Sequence, residues 1–366
     1  MKVLVYPKDS NPYQDLLYSK FPKNTEITNL IHMFSSNNLS ILYLPIQIIC
    51  FRLIGYRIFH LHWVYTFRIL GHPIFQTYPF RFLMTIYFVS IIFLIKLLGY
   101  KLVWTAHDLI PHGVFFINDI FIMRLLSVFS EAVIVHSDEG IKIMNLMNMN
   151  SRNCSVIPTG NYADPYSNTI SQKDSRKKLK IKEPCFIFGF FGKIREDKGV
   201  LALIQSYIKC NFDNARLYII GECIDKTLKD NLLRLANNRK DIFLHFFFVQ
   251  NEDVQVYINS FDVLVYPFIN ITTSSAVILA MSFKKSVICP MIGDLRNFPK
   301  NTGYFYDSKH PKQLLKYMKL AYTNKMKLMH MGENGFHFVK RNSWEKSALL
   351  TNSLYIKLLE SKRELL

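Results

Sequence analysis

The run Phe190-Phe191-Gly192-Lys193-Ile194-Arg195-Glu196-Asp197-Lys198-Gly199 concentrates residue types that can grip a phosphate. An apolar stretch stops at a glycine, cations follow, and a helical pattern starts near Gly199. Gly192 would let a phosphate approach the backbone. Lys193, Arg195 and Lys198 would offset its charge, and the helix start would add amide donors and the positive end of a dipole. Fixed cations there favour departure of a diphosphate, because they stabilise negative charge as it develops. The same spacing also describes a solvated turn of mixed charge. A second candidate is the loop after Tyr266, where Thr272, Thr273, Ser274 and Ser275 stand in a row before a helical stretch at 276–283. Hydroxyls and first-turn amides form an anion cradle. Capping by Ser274 or Ser275 accounts for one hydroxyl, not four.

Acid–base chemistry has its candidates earlier in the chain. His60-Leu61-His62-Trp63 closes one apolar run, and Ala106-His107-Asp108 follows another. Asp9, Ser10 and Asn11 follow the first apolar run. No pair of aspartates has D-x-D spacing and no Cys/His cluster has zinc spacing, so no metal site is expected.

These residues need strands that end together. Lys2–Tyr6, Ile58–Trp63, Lys101–Thr105, Ala132–His136 and Ser155–Pro158 read as strands, with helical patterns among them. The pattern restarts with Phe186–Phe191, Arg216–Ile220, Ile242–Phe248, Val263–Tyr266 and Ser286–Cys289. The polar, basic stretch 163–184 reads as a linker. Strand–helix alternation implies α/β architecture with parallel sheets covered on both faces. In such sheets ligands bind beyond the carboxyl ends of the strands, where every motif above falls. The expected domains are 1–165 plus a returning C-terminal helix at 344–366, and 166–343.

FFGKIREDKG, RLYIIGE and FDVLVYPF followed by SSAVILAMSFKKSVICP together resemble the donor-binding domain of GT-B glycosyltransferases of bacterial glycan assembly. HLHW, TAHDLIPH and AVIVHSDEG resemble the acceptor-side domain of the same group. The resemblance implies two doubly wound, Rossmann-like domains with an interdomain cleft, and a nucleotide diphosphate sugar, GDP- or UDP-linked, as donor. It implies that Lys193 and Lys198 hold the diphosphate, that Glu222 lies at a donor-domain loop, and that Thr272–Ser275 meet the sugar or phosphates. Retaining members carry two glutamates eight positions apart; Ile271 and Leu279 stand there instead. That departure points to an inverting member, of a β-mannosyltransferase- or glucuronosyltransferase-like branch. An inverting transfer needs a base on the acceptor side. Asp108 is the candidate, with His107 as orienter or alternative base; capping by Asp108 and packing of His107 is the competing reading. His60 and His62 would shape the acceptor site, and Asp9 and Asn11 would line it. The nucleotide sugar is a co-substrate, and no cofactor is expected.

Half of the 366 residues are apolar, enough for two cores. The six cysteines are scattered and form no C-x-x-C pair, which suits a reducing compartment. No signal peptide is read at the start. The net charge of +18 is uneven: residues 1–165 hold 13 basic and 9 acidic side chains, and residues 166–366 hold 32 and 18. Such a field suits anionic lipid or phosphates, and no nucleic-acid signature accompanies it. Phe82–Ile95 is an uninterrupted apolar run, short for a span of about 20 residues. It reads as a buried or interfacial helix, with spanning as the third possibility. The composite expectation is a peripheral enzyme at the cytoplasmic membrane face, moving a hexose-type sugar to a lipid-linked or saccharide acceptor. A non-catalytic sugar-nucleotide-binding subunit and a polyanion-binding protein are the alternatives.

Overall fold

The computed structural model describes residues 1–9, 11–30, 38–64, 77–109, 114–182 and 184–360. Ser10, residues 110–112 of the TAHDLIPH segment and residue 113 lie outside the described residues, as does the end of the expected C-terminal helix. The chain forms two compact units, Met1–Gly160 with Trp344–Leu366, and Asn161–Ser343.

The first unit is built on strands β1 (Lys2–Tyr6), β2 (Glu26–Asn29), β3 (Ile58–Leu61), β4 (Lys101–Thr105), β5 (Ala132–Val135) and β6 (Cys154–Val156). All pair in parallel in the order β2-β1-β3-β4-β5-β6. Their residues are mostly Val, Ile, Leu and Phe, buried on both faces as a covered parallel sheet requires. β2 was not legible as a strand: Glu-Ile-Thr-Asn is short and polar, and only its place at the sheet edge makes it one. The apolar run read at Phe82–Ile95 is the middle of a helix, Tyr78–Leu97, with proline in its first turn and Lys96 in its last. Met84, Phe88, Ile91, Ile92 and Ile95 are its buried positions, a spacing of three and four residues along one face. The helix Trp344–Glu360 belongs to this unit. Ser347 Oγ donates to the Pro158 carbonyl at 2.6 Å, and Tyr355 is fully buried.

The second unit has β7 (Phe186–Phe191), β8 (Ala215–Ile220), β9 (Ile242–His245), β10 (Val263–Val265), β11 (Val287–Pro290) and β12 (Gly303–Tyr306), parallel in the order β12-β11-β10-β7-β8-β9. β12 is a second edge strand absent from the sequence reading. The stretch read as a linker is instead partly structural. Gln172–Lys178 is a helix, and its Arg176 is buried against the sheet. Arg176 Nη2 meets Asp262 Oδ2 at 2.7 Å and Nε donates to the Ser260 carbonyl at 2.9 Å. A basic composition suggested solvent; one arginine with a buried carboxylate partner and carbonyls to satisfy it made the segment part of the unit.

Candidate active site

In the second unit the loops that follow β11, β10, β7 and β8 are stitched side by side. Asp294 N–H donates to the Thr272 carbonyl at 2.9 Å, and Ile269 N–H donates to the Asp197 carbonyl at 2.9 Å. Ile194 N–H donates to the Glu222 carbonyl at 2.8 Å. The order of the links is the order of the strands, so the motifs share one sheet edge. Two glycines permit this closeness. Gly199 has φ +68°, and a Cβ there would stand 1.9 Å from the Pro267 carbonyl oxygen. At Gly221, with φ +155°, a Cβ would stand 1.8 Å from the Gly192 carbonyl oxygen. Neither position admits a side chain without moving backbone.

The cations on this edge are not equivalent. Arg195 turns its fork onto its neighbour, with Nε and Nη2 each 2.9 Å from the two Asp197 oxygens. Lys198 Nζ lies 3.1 Å from Asp197 and 5.0 Å above the Phe268 ring. Lys193 is exposed. With Glu196 and Asp197 counted, the loop's net charge is +1. Its anion affinity therefore depends on the nearby amides as well as on side chains. Ser274 caps the helix Ser275–Ser282 by accepting from Val277 N–H, while Thr272 is buried and Thr273 and Ser275 are at least partly exposed. Glu222 contributes its main-chain carbonyl here. Ile271 is buried, so the position where a glutamate would stand in a retaining enzyme faces core.

In the first unit four histidines converge at the ends of adjacent strands β3, β4 and β5. His62 Nδ1 and His107 Nε2 are 3.1 Å apart, and His107 Nδ1 and His136 Nε2 are 3.3 Å apart. His136 Nδ1 lies 3.0 Å from the Ile157 carbonyl. Tyr18 Oη is 2.7 Å from His62 Nε2 and 3.0 Å from His60 Nδ1, and His60 Nε2 is 2.7 Å from Thr105 Oγ1. With neutral rings, one group directs the chain from His136 to Tyr18. A carbonyl only accepts, so His136 carries its proton on Nδ1 and accepts at Nε2. His107 then donates from Nδ1 and accepts at Nε2, and His62 donates from Nδ1 and accepts from Tyr18. The directed chain ends at Tyr18; His60 Nδ1 is shared by Tyr355 Oη at 2.5 Å and Tyr18 Oη, and its Nε2 pairs with Thr105. Every ring is neutral and every nitrogen has a partner.

The electrostatics agree with this assignment. Burial pushes His60 down to about 3. Burial, and then the neighbouring rings, hold His62 and His107 well below the usual imidazole range. Burial also lowers His136, while the Ile157 carbonyl and the Asp108 charge draw it back up. Trp63 stacks on His107 at 4.6 Å with planes 14° apart, and Tyr13 meets the same ring edge-on at 4.6 Å.

Three sequence expectations change. His60 and His62 are 0% and 1% exposed, so they orient other groups instead of meeting an acceptor. Both ring nitrogens of His107 are bonded to neighbouring histidines, an arrangement that fits an orienter better than a base. Asp9 Oδ1 accepts from Asn11 N–H at 2.7 Å and Asn11 Oδ1 accepts from Tyr13 N–H at 3.0 Å, so both hold the loop that delivers Tyr13 to the histidines. Asp108 remains half-buried beside His136. Sequence reasoning missed Tyr18, His136, Trp344, whose ring meets Tyr13 edge-on at 5.3 Å, and Tyr355, whose hydroxyl lies 2.5 Å from His60 Nδ1. His136 carried a signal, since it follows β5 as His107 follows β4. The return of the last helix was expected, but which of its side chains reach the histidines was decided only by the tertiary fold. Among the described residues no three His, Cys, Asp or Glu side chains are grouped to hold a metal.

Two six-stranded parallel sheets with alternating helices define a GT-B fold, that of nucleotide-sugar glycosyltransferases. The sucrose-phosphate synthase of Thermosynechococcus elongatus is similar over 98% of this chain and 99% of its own, with a TM-score of 0.76 and 15% identity. A glycosyltransferase from Rickettsia africae covers 98% of both chains at a TM-score of 0.71 and 14% identity. Anabaena HepE, solved in complex with UDP-glucose, covers 98% of this chain and 100% of its own at 0.73 and 12%. No curated protein sequence matches. Residues 171–338, most of the second unit, match the family Glycosyl transferases group 1. Most of the second unit therefore matches a glycosyl transferase family model, on a fold that these solved glycosyltransferases share.

Proposed function

We propose that the chain transfers a hexose-type sugar from a GDP- or UDP-linked donor to a saccharide acceptor, lipid-linked, in the synthesis of a capsule, exopolysaccharide or similar glycan. The observation that carries this reading is the row of stitched loops after β11, β10, β7 and β8 within the stretch 171–338 that matches the family Glycosyl transferases group 1. Lys193 and Lys198, with first-turn amides at Ser275, take the diphosphate, and Thr272 and Thr273 border the sugar. HepE, of the same fold, was solved with UDP-glucose, which supports a donor of that chemical class. Asp108 takes the acceptor proton, its carboxylate lying beside His136 at the end of β4. Apolar residues at 271 and 279 support inversion.

The experiment compares wild type with Lys198→Ala and Asp108→Asn against a panel of sugar nucleotides, and reads product anomers by NMR. Loss of a charged leaving-group contact or of the base is expected to lower kcat by at least about 100-fold. Wild-type turnover by Lys198→Ala would remove the donor assignment, and undiminished turnover by Asp108→Asn would remove the base. A product with the donor's own anomeric configuration would exclude inversion.

A further inference from the structure

We propose that one helical face of the first unit is a docking surface for an anionic lipid bilayer, lying on the membrane without crossing it. This goes beyond the reaction proposed above, and its test reads lipid binding, not turnover.

Three helices form the face: Leu44–Leu53, Tyr78–Leu97 and Asp119–Phe129. The second packs against both of the others. Each buries one side in a common core and leaves large apolar side chains in solvent on the other. On the long helix Leu83 is 61% exposed, Phe93 53% and Leu97 84%. On its neighbours Ile46, Leu53, Phe121 and Val128 are each more than half exposed. A shallow groove runs along the long helix, lined by Ile86, Val89, Phe93 and Leu97 with Thr85 and Ser90. A continuous apolar face of this kind marks an interaction site.

Charge selects the occupant. Residues 27–107 contain no aspartate or glutamate, yet hold Arg52, Arg57, Arg68, Arg81, Lys96 and Lys101. Arg52 Nε donates to the Leu98 carbonyl at 2.6 Å, so it sits where the first two helices end. Arg57 is exposed next to that end, and Arg124 is exposed on the third helix. Arg81, at the other end of the long helix, donates to the Phe116 carbonyl at 2.9 Å. Lys96 is paired with Glu131 and Arg81 stands by Asp119, so the cationic excess lies at the Arg52 and Arg57 end and at Arg124, which matches anionic headgroups over acyl chains. A second copy fits worse, because a two-fold interface would set these cations against their own counterparts.

The long helix is long and apolar enough to cross a membrane. Its core side argues against that. Phe88, Ile91, Ile92 and Ile95 are at most 3% exposed within the unit's core, and the Tyr87 hydroxyl bonds the Ile41 carbonyl. Spanning would strip these contacts from the sheet. The helix is roughly 30 Å long and lies flat.

The test is cosedimentation of the full chain with vesicles of phosphatidylcholine alone or enriched in phosphatidylglycerol. Wild type should bind the anionic vesicles more tightly. The double variant Leu53→Glu, Leu97→Glu changes two side chains more than 80% exposed, so it should fold normally. Its partitioning should fall about 100-fold. Arg57→Gln should weaken binding about fivefold, on anionic vesicles only. No binding by wild type overturns the proposal, as does binding unchanged in the double variant. A soluble dimer dissolved by the same two substitutions would show that a second copy covers the face. Membrane-bound chain that resists alkaline carbonate would show a spanning helix instead.

Discussion

Mild acid should loosen the first unit before it reaches the second. The perturbation is a pH change from about 7.5 to about 5.5, a window above most carboxylate titrations. His60 and His62 are buried and neutral, with His60 held down to about 3 and His62 well below the ordinary range. In the unfolded chain each titrates near about 6.5. Below that value the unfolded chain binds protons the folded chain refuses, so stability rises with pH and is lost as pH falls. The loss begins near the unfolded value and, for His60, continues to about 3. Each of the two contributes about 1.4 kcal/mol across the window, so together they contribute roughly 3 kcal/mol. His107 and His136 act with the same sign. The assay is urea unfolding at both pH values and equal ionic strength, followed by tryptophan fluorescence. Trp63, Trp104 and Trp344 are the chain's three tryptophans and all lie in the first unit, so the signal reports that unit. His62→Gln should remove about half of the roughly 3 kcal/mol dependence. A loss under about 1 kcal/mol in wild type, or a pH dependence unchanged in His62→Gln, would refute the neutral chain.

Gly199→Ala should destabilise the second unit by roughly 2 kcal/mol or more, from left-handed backbone and the clash with the Pro267 carbonyl. Thermal unfolding by circular dichroism checks it, and an unchanged midpoint would mean the two loops are not stitched as described. Arg176→Met strands the buried Asp262 carboxylate and should cost roughly 3–5 kcal/mol, read by the same unfolding experiment. Transfer should persist in excess EDTA, since Lys193, Lys198 and helix-start amides are assigned the leaving group's charge. Activity lost in EDTA and restored by magnesium would reassign that role to a metal.

Much of this protein was legible before any coordinates. Short apolar runs bounded by loops read as strands, because a covered parallel sheet asks only for apolar side chains on both faces; the longer run at 82–95 is a helix. Glycines and cations after β7, and hydroxyls after β10, could be assigned to strand ends for the same reason. What the residue order could not supply was proximity. β2 and β12 are strands only because a neighbour offers them hydrogen-bonding groups. Arg176 reads as a solvated linker charge until the fold closes Asp262 over it. Arg195 and Lys198 read alike as cations, yet Asp197 takes the fork of one in two bonds and meets the other at a single oxygen, with Lys198 also above Phe268. His60, His62, His107 and His136 are local in sequence to three different strands, and the polarity of the last three depends on a carbonyl at 157. The types of residue thus determined which chemistry was available. Tertiary packing decided which polar atoms pair, which charges stay exposed and which apolar helix faces are left in solvent, because burial and hydrogen-bond partners are properties of neighbours in space.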